Sequence, residues 1–474
     1  MPKLLLSVII CLLSSIGLAQ QENWLAEEAL QQLDSIYCAE PIHVTNLDLE
    51  SIYISAYNNF ICYQAFERKN DANSFYSGYA KYSEACDLSN KDQLMLVNLS
   101  IQKALLLWMQ GEEFEGARVF YKAHRIFKRI EATNFGLEHK KLQALFDIFL
   151  AQIPEQHQFF ASLFGLEGDA EEGFSQLNQY LIEVKEEPGL YLEALVLYGY
   201  CQLKFGEPTE QNVVDYMACS EKCNSPIIAF IASSLALKNR LGEMALRLCA
   251  DLPNAHYHKF PLLFYQKGRV LLNALDSTSI SAFARFHEQY KGHSFKVDAL
   301  MREAWYNHIK GEEAARDKAI SKAKEQTIWP TSIDKQAKVE LLTIHEEPVG
   351  LLKARLLYDG GYYSAAMHII NQTDCSLLSK YYQAEFYYRS ARIFQAIGRT
   401  EEAITQYKAT VALCKADERY IGPYAAIELV KYYTMNDHIE EAIEYLDSAV
   451  QLNTGQYKSD IQNILEQLER ELEQ

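Results

Sequence analysis

The sequence predicts an all-α protein built from consecutive antiparallel helix hairpins, and three observations carry that expectation. Glycine (21) and proline (11) are scarce for 474 residues; average usage would supply nearly twice as many, and a β-rich chain with many tight turns needs them. Beyond the first twenty residues, nearly every segment places apolar residues at three-and-four spacing, the period of an amphipathic helix. Prolines at 41, 154, 188, 208, 226, 253, 261, 330, 348 and 423 sit mostly beside Gly, Asn, Asp, Ser or Glu, where they separate helices. Hydrophobic residues at 49% and charged residues at 23% fit a folded chain and exclude disorder. The length corresponds to about three domains of about 150 residues each.

The N-terminus reads as a secretory signal peptide over 1–19. Lys3 gives a short positive region, Leu4 to Ile16 is apolar apart from its serines, and Gly17-Leu18-Ala19 supplies small residues for cleavage. A lipoprotein signal fits less well, because Ile9 and Ile10 are bulky before Cys11 and Cys11 comes early. An uncleaved anchor needs about 20 apolar residues. Downstream, the longest apolar stretch, Ile227 to Leu237, is interrupted by two serines, so no transmembrane segment is expected in the mature chain. The expected location is therefore the periplasm or the outer membrane, with peripheral envelope association.

Formal charge is -18, from 45 basic and 63 acidic residues. Nucleic acid would be repelled, since binding to it rests on Lys and Arg neutralising phosphates, and no basic run interleaved with aromatics offsets this. Of ten cysteines, Cys11 falls in the signal, and the odd remainder at irregular spacing does not make a disulfide framework. Cys38, Cys62 and Cys86 are evenly spaced and could bridge in an oxidising compartment; most cysteines read as small core residues.

Internal repetition is the strongest signal. Gly398-Arg399-Thr400-Glu401-Glu402-Ala403-Ile404 aligns with Asp437-His438-Ile439-Glu440-Glu441-Ala442-Ile443. Each follows an aromatic-rich helix, Phe386 to Ile397 or Tyr424 to Met435, and opens a second helix carrying Tyr407 or Leu446 four residues past the alanine. Leu351 to Asp359 followed by Gly361-Tyr362-Tyr363-Ser364-Ala365-Ala366 is the same unit, and Gln110-Gly111-Glu112-Glu113-Phe114 with Phe120 and Ala123 is an earlier copy. This pattern resembles the tetratricopeptide repeat (TPR) family, whose unit is about 34 residues, although Thr410 and Lys415 stand where that family often has Ala and Pro. The resemblance implies a right-handed superhelical solenoid of antiparallel hairpins, in which the small alanine lets two helices approach. Lys141 to Gln176, with Ile153-Pro154, Gly165, Gly168 and Gly173, looks like a stretch of larger TPR proteins. Phe264 to Lys322, with Gln266-Lys267-Gly268, Tyr290-Lys291-Gly292 and Ala304-Trp305-Tyr306, looks like divergent modules of exported TPR proteins of Bacteroidetes. The organisation that follows is N-terminal helical repeats over 20–187, divergent TPR-like repeats over 188–345, C-terminal TPR units over 346–455 and a capping helix over 456–474. In Ser459 to Glu473, Ile461, Ile464, Leu465, Leu468 and Leu472 share one side, as the cap of a repeat array requires.

Catalytic and cofactor patterns fail one by one. No Gly-rich phosphate loop, GxSxG, HExxH or CxxC is present. His345-Glu346-Glu347 and His287-Glu288 lack a second histidine one turn on. His256 and His258, flanking Tyr257 in what reads as a solvated loop, are two ligands and not a site. Cys219 and Cys223 lie one helical turn apart without further ligands and read as a buried helix face. No cofactor, metal or catalytic residue is assigned, and acidic pairs sit at helix starts, where they complement the helix dipole.

Phasing the last three units on their turns places Arg355, Arg392 and Lys431 at one shared position, on the concave face that the resemblance implies. Tyr358 and Gln395 lie one turn beyond Arg355 and Arg392, and Tyr388 lies one turn before Arg392. Such a row of cations and tyrosines suits an acidic segment or a C-terminal carboxylate of a protein partner, which arginine grips with paired hydrogen bonds while tyrosine adds rigid contact area. The competing reading pairs each cation with a carboxylate such as Glu385 or Glu428. The expected function is an exported, non-enzymatic scaffold or adaptor in the cell envelope; the alternatives are an outer-membrane accessory factor for solutes or glycans, or an enzyme with a site in the divergent middle region. Terminal sequencing of the mature protein should give Gln20 or Gln21 in an envelope fraction, and an intact Met1 in the cytosol would refute export.

Overall fold

A computed structural model describes residues 27–39, 42, 48–130, 136–153, 165–415 and 417–473. The signal segment 1–19, its cleavage point and Pro154 lie outside them. Among the described residues 24 α-helices hold 76% of the chain and there is no strand, so the chain is all-α. Adjacent antiparallel helix pairs are its unit, as in a helical-repeat solenoid. The described residues form two compact units. One runs up to Val270 and adds Thr278–Glu303 and Ala319–Val339; the other combines Leu271–Ser277 and Ala304–Lys318 with the chain from Glu340 onward.

A recurring turn explains the hairpins. In the first unit, Leu49–Phe66 pairs with Lys69–Ser83, Asn90–Met109 with Glu113–Phe127, and Pro226–Lys238 with Gly242–Asp251. In the second, Val349–Asp359 pairs with Tyr363–Gln372, Lys380–Ala396 with Thr400–Leu413, and Ile421–Met435 with Ile439–Leu452. Each pair turns through one left-handed residue: Glu67, Gly111, Arg240, Gly361, Gly398 or Asp437. In the last five of these, the next amide closes back onto the first helix: Glu112 to Leu107, Leu241 to Ala236, Tyr362 to Leu357, Arg399 to Phe394 and His438 to Tyr433, all at 2.8–2.9 Å. These bonds satisfy carbonyls that a helix end leaves open. Five residues after the left-handed position stands a buried small residue, the fourth of the second helix: Ala72, Gly116, Ala245, Ala366, Ala403 or Ala442. At Gly116 a methyl group would come within 2.6 Å of the Trp108 ring, so the helices touch backbone to side chain. The turns at Leu275 and Gly311 depart from this, with Ile280 and Arg316 at that position. The middle of the chain, which reads as divergent, therefore uses the same device at Arg240 and Ala245.

Each unit has its own core. Ile227 to Leu237 lies wholly buried in Pro226–Lys238, and no helix among the described residues is long and apolar enough to cross a membrane. In the second unit, Lys458–Glu473 buries Ile461, Leu465 and Leu468 against the last hairpin, with Ile464 and Leu472 at the edge. In the first, Glu27–Tyr37 packs against Pro188–Lys204, far along the chain. Ser225 Oγ donates to the Tyr37 carbonyl at 2.6 Å there, and the Tyr37 and Tyr57 hydroxyls touch.

The first unit also buries charge. Lys141 Nζ lies 2.7 Å from Glu138 and 3.2 Å from Glu193, all three side chains being fully enclosed. Asn98 Nδ2 donates to Glu138 at 2.7 Å and the Tyr180 hydroxyl to Glu193 at 3.0 Å. Two carboxylates share one ammonium. Burial pushes the Glu193 carboxyl well above its ordinary range, with Glu138 adding to the rise against the pull of Lys141. Lys141→Met should cost about 3–5 kcal/mol, the usual loss when one partner of a buried ion pair is removed. Glu193→Gln in the same chain should recover part of it. Urea unfolding measures both, and a loss below about 1 kcal/mol would show that the triad does not support the fold.

Candidate functional site

The six candidate residues lie on three successive first helices of the second unit. Arg355, Arg392 and Lys431 each stand six positions before a left-handed turn residue, Gly361, Gly398 or Asp437. Their surroundings differ. Arg355 makes a two-pronged pair with Glu340, at 2.7 and 3.0 Å, and its guanidinium lies 4.7 Å from the Trp305 ring centre. Lys431 meets Glu428 at 3.1 Å. Gln395 donates to the other oxygen of Glu428 at 2.7 Å and accepts from the Tyr407 hydroxyl at 2.6 Å. Arg392 is held between two rings, 4.2 Å from the centre of Tyr358 and 5.6 Å from that of Tyr388. Among the described residues no carboxylate stands within ion-pair distance of Arg392. Tyr388 continues the aromatic surface through Tyr420 to Tyr424 and Tyr457.

The pairing alternative thus describes Lys431 with Glu428, and it describes Arg355 with an acid from an unexpected place. Glu385 serves other cations. Its carboxylate takes Arg389, one turn along its own helix, and Arg419 at 3.0 Å. Arg389 also reaches Glu347 at 3.3 Å, and Arg419 pairs with Asp417 at 2.6 Å while stacking on Tyr381. The pairs that join this network across helices, Arg355 with Glu340, Arg389 with Glu347 and Arg419 with Glu385, were not legible, because their members lie 15 to 42 positions apart with no motif linking them.

A cleft of about 730 Å³ opens at the start of this helix, lined by Lys380, Tyr381, Leu413, Asp417, Arg419 and Gln456 among others. Tyr381 is the most exposed of its aromatic neighbours, and Lys380 extends into solvent.

The remaining candidates resolve individually. His256 and His258 occupy a short helix, Asn254–Lys259, rather than a solvated loop. His256 is buried, with Nε2 2.7 Å from Asn224 Oδ1, and His258 contacts Gln289. Cys219 and Cys223 are half-buried, and the Cys223 thiol donates to the Cys219 carbonyl. All the described cysteines are free thiols; Cys201, Cys249 and Cys414 are buried, and Cys86 is exposed. Among the described residues no group of three or more His, Cys, Asp or Glu side chains is placed to hold a metal ion. No known protein-family model matches the chain, and comparison with curated proteins finds no match.

Glu347 sets the pH response of this network. Burial, the largest cause, and the charges of Glu385 and Glu340 push its carboxyl up to about 7 against the opposing pull of Arg389 and Arg355. Its folded value lies above the ordinary carboxyl value of about 4.3, so folding takes up a proton between those limits. Stability therefore falls as pH rises through that window and its loss is complete above about 7. Glu347→Gln should gain on the wild type by several degrees of Tm between pH 5 and pH 8; parallel melting curves for the two proteins would contradict this.

Proposed function

We propose that the chain is an exported TPR-like scaffold or adaptor that captures a protein partner in the cell envelope, at the periplasm or outer membrane, through an acidic or C-terminal peptide segment. The observation that carries this reading is the contrast between Arg392 and its neighbours. Arg355, Arg389, Arg419 and Lys431 each have a carboxylate. Arg392 lies against the faces of two tyrosines and has no carboxylate within ion-pair distance among the described residues, and ring-face contacts leave the in-plane N–H edge of a guanidinium for a carboxylate. Cation–π contacts fix its orientation at about 0.5–2 kcal/mol each, so little side-chain freedom remains to be lost on binding. The chain's net charge of -18 favours local recognition at this point over long-range attraction of an acidic partner.

A second reading, an accessory factor for solutes or glycans, draws on the cleft beside Tyr381, where an exposed ring stands among Lys380, Asp417 and Gln456.

Arg392→Met separates the two. Methionine keeps apolar contact with the tyrosines and removes the charge. Capture of partners from envelope extract, and binding of synthetic peptides with a free C-terminal carboxylate, should fall at least about tenfold, a loss of about 1.4 kcal/mol, while Tm moves by no more than a few degrees. Binding should also weaken with salt, since screening acts over about 8–10 Å. Undiminished peptide binding by Arg392→Met would remove Arg392 from the interface, and a large fall in Tm would make it a structural residue.

A further inference from the structure

Two equivalent positions of the row stand in opposite states. Arg355 and Arg392 each precede their turn glycine by six residues, and each stacks on an aromatic ring of the preceding helices, Trp305 or Tyr358. Arg392 has no carboxylate among the described residues. Arg355 holds one already, in the two-pronged geometry by which an arginine would take a ligand carboxylate. Resting on the reading of this row as a binding surface for acidic segments, we infer that Glu340 is an internal pseudo-ligand, which occupies Arg355 in the free chain and gives way to a carboxylate of the partner.

Among the arginine pairs of this network, the exchange is most feasible at this one. The side chains of Arg355 and Glu340 are 21% and 18% exposed, against 8% and 13% for Arg389 and Glu347 and 12% and 14% for Arg419 and Glu385. Water and a ligand therefore reach the first pair most readily. Glu340 is the last residue of Ser332–Glu340 and runs into turns over 341–347. Its side chain can swing outward while Leu341 and Ile344 stay buried. Like charge favours its departure: Glu340 lies close enough to Glu347 for its charge to push the Glu347 carboxyl upward in pKa, and the network holds Glu340, Glu347, Glu385 and Asp417 against Arg355, Arg389 and Arg419. When Glu340 leaves, Asp359, 4.0 Å from Arg355 Nε, still keeps the guanidinium over Trp305. The free protein is thus selective, because a ligand with one carboxylate finds only Arg392 open, whereas one with two properly spaced carboxylates can claim Arg355 as well. The partner that fits is an acidic segment carrying at least two carboxylates.

Fluorescence anisotropy on the full chain tests this, using a fluorescein-labelled octapeptide of alternating Ala and Glu with a free C-terminal carboxylate. Glu340→Gln removes the competing charge and should tighten binding about tenfold. Glu340→Asp, shortened by one methylene, should tighten it less and serves where the Gln variant folds poorly. In an Arg355→Gln background neither change should tighten binding. Wild-type binding that Arg392→Met abolishes, but that no Glu340 variant strengthens, overturns the pseudo-ligand and leaves the proposed function standing. Tightening that persists without Arg355 overturns it too. If neither wild type nor Glu340→Gln binds the peptide at millimolar concentration, the proposed function fails and the inference falls with it.

Discussion

Everything in this chain depends on how closely two helix backbones can approach after a turn. A hairpin of moderate length cannot bury its apolar stripe alone, and two helices share a stripe only when no side chain holds them apart at the crossing. The left-handed residue sets the direction of return, and the small residue five positions later removes the obstacle. Ala366, Ala403 and Ala442 are completely or almost completely buried there. With that distance fixed, successive first helices fall into register, and positions counted back from the turn become equivalent across hairpins. The alignment of Arg355, Arg392 and Lys431 follows from the turn geometry and needs no separate device.

The two units use charge in different ways. In the first, Lys141 and its two glutamates are sealed from water, so removing any member strands another in a medium that solvates it poorly. In the second, the ion pairs are graded, from almost enclosed at Arg389 to partly wet at Arg355. A graded network tolerates exchange of its outer members while its inner ones hold the helices. Among the described residues Arg392 sits between these pairs with two tyrosine rings and no ion-pair partner; under the proposed function, recognition and stability fall to different residues.

The fold was legible where turn chemistry is written in glycine. Gly398 and Gly361 announce their hairpins, and Asp437 is readable by alignment with Gly398. Arg240 and Glu67 make left-handed turns with residues that carry no such signal, so their hairpins are not announced by the sequence. Period also fails for short elements: Asn254–Lys259 is a single turn or two between prolines, too brief to show a helical pattern, and His256 was placed in solvent although Asn224 holds it inside. At the candidate site, the phase of the three cations followed from the repeat. The pairing of Lys431 with Glu428 was also readable, but that of Arg355 was not, because Glu340 meets it through tertiary packing across the turns at 341–347, and spacing along one helix is silent about such an encounter.

The contact of Glu27–Tyr37 with Pro188–Lys204 has a kinetic meaning. Hairpins that touch only their neighbours can form in any order and zip outward, at a rate set by local contacts. Joining Glu27–Tyr37 to a helix more than 150 residues later adds a loop whose closure entropy must be met before the contact forms. Leu30 and Leu33 crowd the position of Gly189, so the join admits little slack. A chain emerging N-terminus first keeps Glu27–Tyr37 without its distant neighbours until residues near 225 have followed, when Ser225 can reach the Tyr37 carbonyl. A truncation ahead of Pro188–Lys204 therefore leaves that helix without its distant neighbour, whereas one beyond Ser225 keeps the join.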